Sequence, residues 1–287
     1  DTLYAAVAHH YGDKTLKPLP FRKLTGEDRV EGVVLVDDTP LTRSGRSNPV
    51  TFIKSFDLIR QLFAESEEAR IQNLKAGHFS FNIAGGRCEK CAGEGFLTVD
   101  MHFLSDMRVI CDECQGARFR PNVLKAKYRG KNIQEVLELT VQQAFPFFRG
   151  QKKIQVALKS LMDAGLGYLR LGQPLSTLSH GEERRLKLAQ HLQSTQKGKK
   201  LFVVIKPTMG LHGSEIARLV DCFDSLLSVG HSIVVVDNHP QLAGYADWII
   251  ELGPGAGQDG GQVIFTGTPE EMVDCERTVL GKWLNNT

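Results

Sequence analysis

The chain has 287 residues, 41% of them hydrophobic and 24% charged, with 35 Lys and Arg against 33 Asp and Glu. That content excludes a disordered chain, and the lack of a fixed period excludes collagen and coiled coil. A chain of this size fills about two domains with apolar cores of their own, so its six cysteines are not needed as a disulfide scaffold.

In chain order, residues 30–37 are rich in Val and predict a strand, and residues 39–49, with Pro, Gly, Ser and Asn, predict a loop. Phe56, Ile59, Leu62 and Phe63 recur at helical spacing and predict an amphipathic helix over 55–73. Short strands and turns are expected over 78–120. Ile154, Leu158, Leu161 and Met162 mark a helix over 153–164, closed by Gly165 as a left-handed cap. Then follow a strand at 201–205, a helix at 213–228 and a strand at 232–236. Their continuously apolar strands predict an α/β fold with a parallel sheet covered on both faces. A glycine-rich turn at 253–261 leads into a strand at 262–265, and Thr268-Pro-Glu-Glu271 opens a last helix with Thr268 as N-cap. The longest apolar runs, 201–205 and 233–236, are strand length, against about 20 residues for a membrane helix. The opening Asp1-Thr2-Leu3-Tyr4 has no basic-then-apolar leader. Both features point to a cytoplasmic segment of something longer, with no membrane partner.

Cys88-Glu-Lys-Cys91 and Cys111-Asp-Glu-Cys114 form a C-x2-C-x19-C-x2-C pattern. Each pair turns two thiolates toward one point, and two pairs complete a closed tetrahedral zinc site with Zn–S of about 2.3 Å. The competing reading is two separate redox pairs. The isolated Cys222 and Cys275 read as small apolar residues. Residues 85–131 hold nine basic side chains against six acidic ones, so they carry +3 and the rest of the chain −1 of the net +2. On charge alone this stretch reads as a solvated face.

Leu178-Ser-His-Gly-Glu182 precedes a helical run to Leu192. A Ser and a Gly at a helix N-terminus offer a hydroxyl and backbone N–H groups to an anion, or simply cap the helix. Several further stretches stand beside it: Arg46-Ser-Asn-Pro49; Phe79-Ser-Phe-Asn82 with Gly85-Gly-Arg-Cys88; Met101-His-Phe-Leu104; Leu166-Gly-Tyr-Leu-Arg-Leu-Gly172; Pro207-Thr-x-Gly-Leu-His212; and Thr266-Gly-Thr-Pro-Glu270. Together they resemble the UvrA family of the bacterial excinuclease in nucleotide excision repair, colinear with its C-terminal half. The resemblance implies an ABC-ATPase-type core carrying an inserted signature subdomain and a small zinc-binding module. It assigns 1–52 and 197–287 to the core and 53–196 to the signature subdomain, with the zinc module at 79–120. The zinc knuckles alone also resemble the DnaJ family, which leaves a zinc-dependent chaperone-like module as an alternative.

The chain departs from the family where nucleotide chemistry is done. No Gly-rich loop ending in Lys-Ser/Thr is present; it belongs upstream of Asp1. Asp38 stands where the family has Gln, Ile205 and Lys206 stand where it has Asp and Glu, and Asn238 replaces the switch His, with His239 one position late. Phosphoryl transfer rests on positioning and electrostatics, so the expectation is a degenerate half-site, with ATP and Mg²⁺ belonging to the full-length family. Ser179, His180, Gly181 and Glu182 are then expected to face a nucleotide held by another half. The alternative is an active ATPase half-site completed in the full-length protein or dimer. The resemblance further implies damaged double-stranded DNA, a dimer partner or N-terminal half, and the excinuclease component UvrB as partners. The DNA-facing candidates are Arg87, Phe103, Leu104, Arg108, Arg118, Arg120, Lys125, Lys127, Arg129 and Lys131.

Overall fold

The computed structural model describes residues 2–39, 41, 46–99, 107–192, 198–255 and 257–285. Two compact units divide the chain, one of residues 1–38 with 196–287 and one of residues 39–195. The sequence places the first break at 52/53. The Leu175 N–H donates to the Ser47 carbonyl at 2.9 Å and the helix Pro49–Phe52 packs on Phe56–Ala64, which draws this segment into the second unit.

The described strands are β1 (Val33–Val36), β2 (Phe96–Val99), β3 (Met107–Ile110), β4 (Leu201–Ile205), β5 (Ser232–Val236), β6 (Ile249–Gly253) and β7 (Gln262–Gly267). In the first unit β1, β4 and β5 form a parallel sheet in that order, with Val33 opposite Leu201 and Leu201 opposite Ser232. The helix Gly213–Ser228 crosses from β4 to β5 and buries Ile216, Leu219, Phe223 and Leu226. Central β4 buries Phe202, Val203 and Val204. The expectation of a sheet covered on both faces fails at β5, where Val234 and Val236 are 37% and 53% exposed. As an edge strand β5 has the crossover helix on one face, and its second face is left open among the described residues. β6 and β7 make an antiparallel hairpin, β6 having escaped the sequence reading. Thr268 opens the following helix as expected, accepting from the Glu271 N–H while the Glu271 carboxylate accepts from the Thr268 N–H.

The second unit is mainly helical around a phenylalanine core. Phe56 stacks on Phe81 at 4.9 Å, and Phe63, Phe79, Phe119 and Phe148 are buried with them. The single helix expected over 55–73 is two, Phe56–Ala64 and Glu67–Ile71, because Ser66 caps a fresh start by accepting from the Ala69 N–H. The helix Lys152–Asp163 and its closing Gly165 at φ 68° are as read. Two short helices, Ile133–Leu137 and Val141–Phe147, went unread although each opens on a capping box, Asn132 with Glu135 and Thr140 with Gln143. Among the described residues no helix is long and apolar enough to cross a membrane.

Candidate metal centre

The two cysteine pairs fold into matching knuckles. In each, the residue after the second Cys and the Gly after that both take left-handed backbone, Ala92 and Gly93 at φ 49° and 84°, Gln115 and Gly116 at 51° and 82°. Gly93 is required on space as well, since a Cβ there would overlap the Phe81 carbonyl. Backbone bonds join the knuckles to each other's flanks: Cys88 N–H to the Arg118 carbonyl at 2.8 Å and Cys111 N–H to the Gly95 carbonyl at 3.0 Å. The β2–β3 hairpin connects them.

This folding brings the Sγ atoms of Cys88, Cys91, Cys111 and Cys114 within 4.8 Å of one another. The cross-knuckle pairs lie at 3.9 Å for Cys88 with Cys111 and 3.7 Å for Cys91 with Cys114. A tetrahedron with metal–sulfur bonds of about 2.3 Å has edges of about 3.8 Å, so the donor set and its spacing fit one four-coordinate ion. None of the six cysteines is in a disulfide, which sets aside separate oxidised pairs in this structure. Burial pushes the Cys114 thiol up to about 12 and raises Cys88 as well. At Cys111 burial also raises the thiol, but the N–H groups of Cys114 and Glu113 outweigh it and hold the group low. The Gly95 N–H points at Cys91 Sγ from 3.2 Å, the kind of donor that steadies a ligating thiolate. Outside the sulfurs, Lys90 of one knuckle pairs with Asp112 of the other at 2.7 Å, holding Asp112 below and Lys90 above their ordinary values.

The basic candidates do not share one surface role. Arg87 and Arg120 both pair with Glu89, at 3.6 and 3.2 Å. Arg118 is half-buried with its guanidinium 5.8 Å from the Phe81 ring centre, and burial lowers its ordinarily very high value while Glu138 opposes that shift. Arg108 lies over the Phe96 ring at 4.7 Å and reaches Ser176. Arg129 is exposed but donates to the carbonyls of Phe147 and Arg149. Lys125 and Lys127 are exposed and Lys131 half-buried. Phe103 and Leu104 lie outside the described residues.

Ser179 is the N-cap of the helix His180–Leu192. Its hydroxyl accepts from the Glu182 N–H at 3.3 Å, and its own N–H donates to the Glu182 carboxylate at 2.8 Å. Tyr168 donates to the other oxygen of Glu182. Ser179 and His180 are exposed and Gly181 is buried. The capping reading is therefore realised, while the hydroxyl proton of Ser179 stays outside the capping pair.

In the first unit, Asp38, Lys206 and Asn238 are exposed at the carboxyl ends of the parallel strands, and Ile205 is half-buried. Lys206 sits at φ 46° with its N–H on the Val236 carbonyl at 2.7 Å. A residue missed in the sequence, Asp237, gathers this edge. Its carboxylate accepts from the Thr208 N–H and hydroxyl at 2.9 and 2.7 Å, and from the N–H groups of Asn238 and His239 at 2.7 and 3.1 Å. Ile205 and Lys206 bring no oxygen to this edge and the Asp237 carboxylate already accepts four donors, while the Asp38 carboxylate stands exposed on the neighbouring strand.

The chain is 42% identical over 284 residues to UvrABC system protein A of Aquifex aeolicus, covering 99% of this chain and 31% of that protein. With UvrABC system protein A of Clostridium perfringens it is 43% identical over 270 residues, 93% of this chain and 29% of the relative. The crystal structure of UvrA2 from Deinococcus radiodurans superposes with a TM-score of 0.84 at 40% identity, over 90% of this chain and 32% of that one. No family model matches the chain. It thus spans about 30% of the length of these relatives.

Proposed function

Because the chain is a segment of the UvrA family with its ABC-ATPase-type α/β fold, we propose that it serves as the DNA-engaging, damage-recognition part of a UvrA-type nucleotide excision repair protein. One structural Zn²⁺ held by Cys88, Cys91, Cys111 and Cys114 ties the knuckles together. The observation that carries the reading is that four-sulfur cluster, seated at tetrahedral spacing and followed over residues 115–131 by six basic and no acidic residues. The zinc supplies no chemistry of its own; a closed four-thiolate shell leaves no position for substrate. A damage sensor must accept any sequence, so its cations meet phosphates and its discrimination comes from how the duplex deforms. Lys125, Lys127 and Lys131 suit this as they stand, whereas Arg87, Arg118 and Arg120 must share their charge with neighbours already in place.

The nucleotide site of this half is degenerate in the same proposal. Ile205, Lys206 and Asn238 offer neither a metal ligand nor a general base, and Asp38 at the end of the neighbouring strand is a carboxylate where the family has Gln. Ser179 and Gly181 instead meet the γ-phosphate of ATP held by another half, a dimer partner or the rest of a longer chain, in the cytoplasm and with UvrB reached through that longer chain. The test compares binding of undamaged and lesion-bearing duplexes by this chain with and without its metal. Tighter binding of the lesion duplex, lost on metal removal, is the expected result. Equal binding of both duplexes removes damage recognition. Suppression of aggregation of an unfolded protein without any duplex binding favours the chaperone-like reading.

A further inference from the structure

Two of the basic stretches of this chain that hold no acidic residue meet in the fold. One runs from Cys114 to Gln134 and holds the lysines and arginines that follow the second knuckle; the other runs from Leu139 to Met162 and carries Arg149, Lys152, Lys153 and Lys159. The fold ties them together at one point. Tyr128 and Lys131 exchange backbone bonds at 2.9 and 3.1 Å, so Arg129 and Gly130 form a tight turn with φ of 49° and 81°. The Arg129 guanidinium then donates to the Phe147 carbonyl at 2.6 Å and to the Arg149 carbonyl at 2.8 Å. Beneath the turn the Tyr128 ring stacks on Phe148 at 6.1 Å and meets Phe147 edge-on at 5.8 Å. Arg129 is left-handed without being glycine, a conformation that costs about 1 kcal/mol or more and persists where its surroundings hold it.

We infer that Arg149, Lys152 and Lys153, joined to Lys127 by the Arg129 clamp, form a phosphate-binding surface for the backbone of duplex DNA. All four of these cations are exposed. Lys152 and Lys153 occupy the first turn of their helix, which holds no acidic residue. Two positive charges at the positive end of a helix dipole are unfavourable in the free chain, and a polyanion lying across them removes that cost. The spread of cations over two segments suits a repeating row of phosphates better than a single anion. Arg129 acts here as a positioning residue: it donates to two carbonyls of the second stretch and sets where that stretch lies against the first.

The inference rests on the DNA-binding reading but can fail separately from it. Fluorescence anisotropy of a labelled duplex is followed against salt for the whole chain and for the Lys152→Gln/Lys153→Gln variant. Each lost phosphate contact lowers the slope of log K against log salt by about 0.9, so the double variant should lose about 1.8 and bind on the order of tenfold more weakly at low salt. Its exposed positions keep the fold intact, checked by a melting temperature no lower than that of the unaltered chain. Arg129→Lys keeps the charge but cannot bridge two carbonyls in the same way, and it should weaken binding several-fold at unchanged net charge. Unchanged slope and affinity in the double variant, with both reduced by Lys125→Gln/Lys131→Gln, would overturn this inference and leave the DNA reading standing. No duplex binding by the unaltered chain at any salt overturns both. Displacement of the duplex by poly-glutamate at equal charge concentration assigns the surface to acidic protein segments instead and also overturns it.

Discussion

At the scale of single residues, the four-cysteine cluster is a demanding arrangement. Four sulfurs packed within 4.8 Å are stable together as thiols or around a cation, and not as bare thiolates. Cys111→Ser should therefore drop bound zinc from about one ion per chain to near none, measured by elemental analysis after purification without chelator. Zinc retained at full stoichiometry would show that the four residues are not its ligands. A second residue, His231, makes a pH-dependent claim. Burial, and then the neighbouring Lys200, pull it below its ordinary 6.5, and its Nδ1 accepts from the Lys200 N–H at 3.1 Å. The unfolded chain thus takes up this proton at higher pH than the folded one. Its contribution to stability is complete above about pH 6.5 and is lost as pH falls toward the folded value. The melting temperature of the unaltered chain should fall more between pH 7.5 and 5.5 than that of His231→Asn, whose amide oxygen can still accept from Lys200. Equal falls would remove His231 as a cause.

Among the elements, the helix His180–Leu192 opens on Ser179, whose observed capping role and proposed nucleotide-facing role can be separated by mutation. Ser179→Ala removes the cap and should cost about 1 kcal/mol of stability in denaturant unfolding. Ser179→Asp keeps a capping oxygen but places a charge where a phosphate would come. It should therefore fold as stably as the original yet fail to support ATP turnover by a partner half. An Asp variant that supports full turnover would leave Ser179 as a cap alone. The element boundaries legible in the sequence were those with local causes, such as the strand β4, the helix Gly213–Ser228 and the cap at Thr268. The break at Ser66 was masked because apolar spacing continues weakly across it, and a single hydroxyl decides the restart.

For the whole molecule, the two units are expected to respond separately to metal loss. Chelation should raise amide exchange across residues 85–120, because the knuckles close on the ion, and leave β1, β4 and β5 protected by their own core. Exchange rising equally in the parallel sheet would count against independent units. The chain by itself should release phosphate from Mg·ATP no faster than buffer does. Turnover above that control would refute the degenerate site, even at a rate on the order of one per minute, far below the usual 1–10³ s⁻¹.

The sequence by itself determined the family, the grouping of the four cysteines and the alternation of strand and helix after residue 201. Each of these depends on residue identity at short spacing, which folding does not alter. Only the tertiary structure decided which cations are free. Arg118, Arg120 and Arg129 are alike in sequence, but one lies against Phe81, one on Glu89 and one across two carbonyls. The same holds for Asp237, whose four donors come from a loop 29 residues away and from its own turn. What a charged side chain does depends on which neighbours arrive from distant segments, and spacing along the chain carries no record of that.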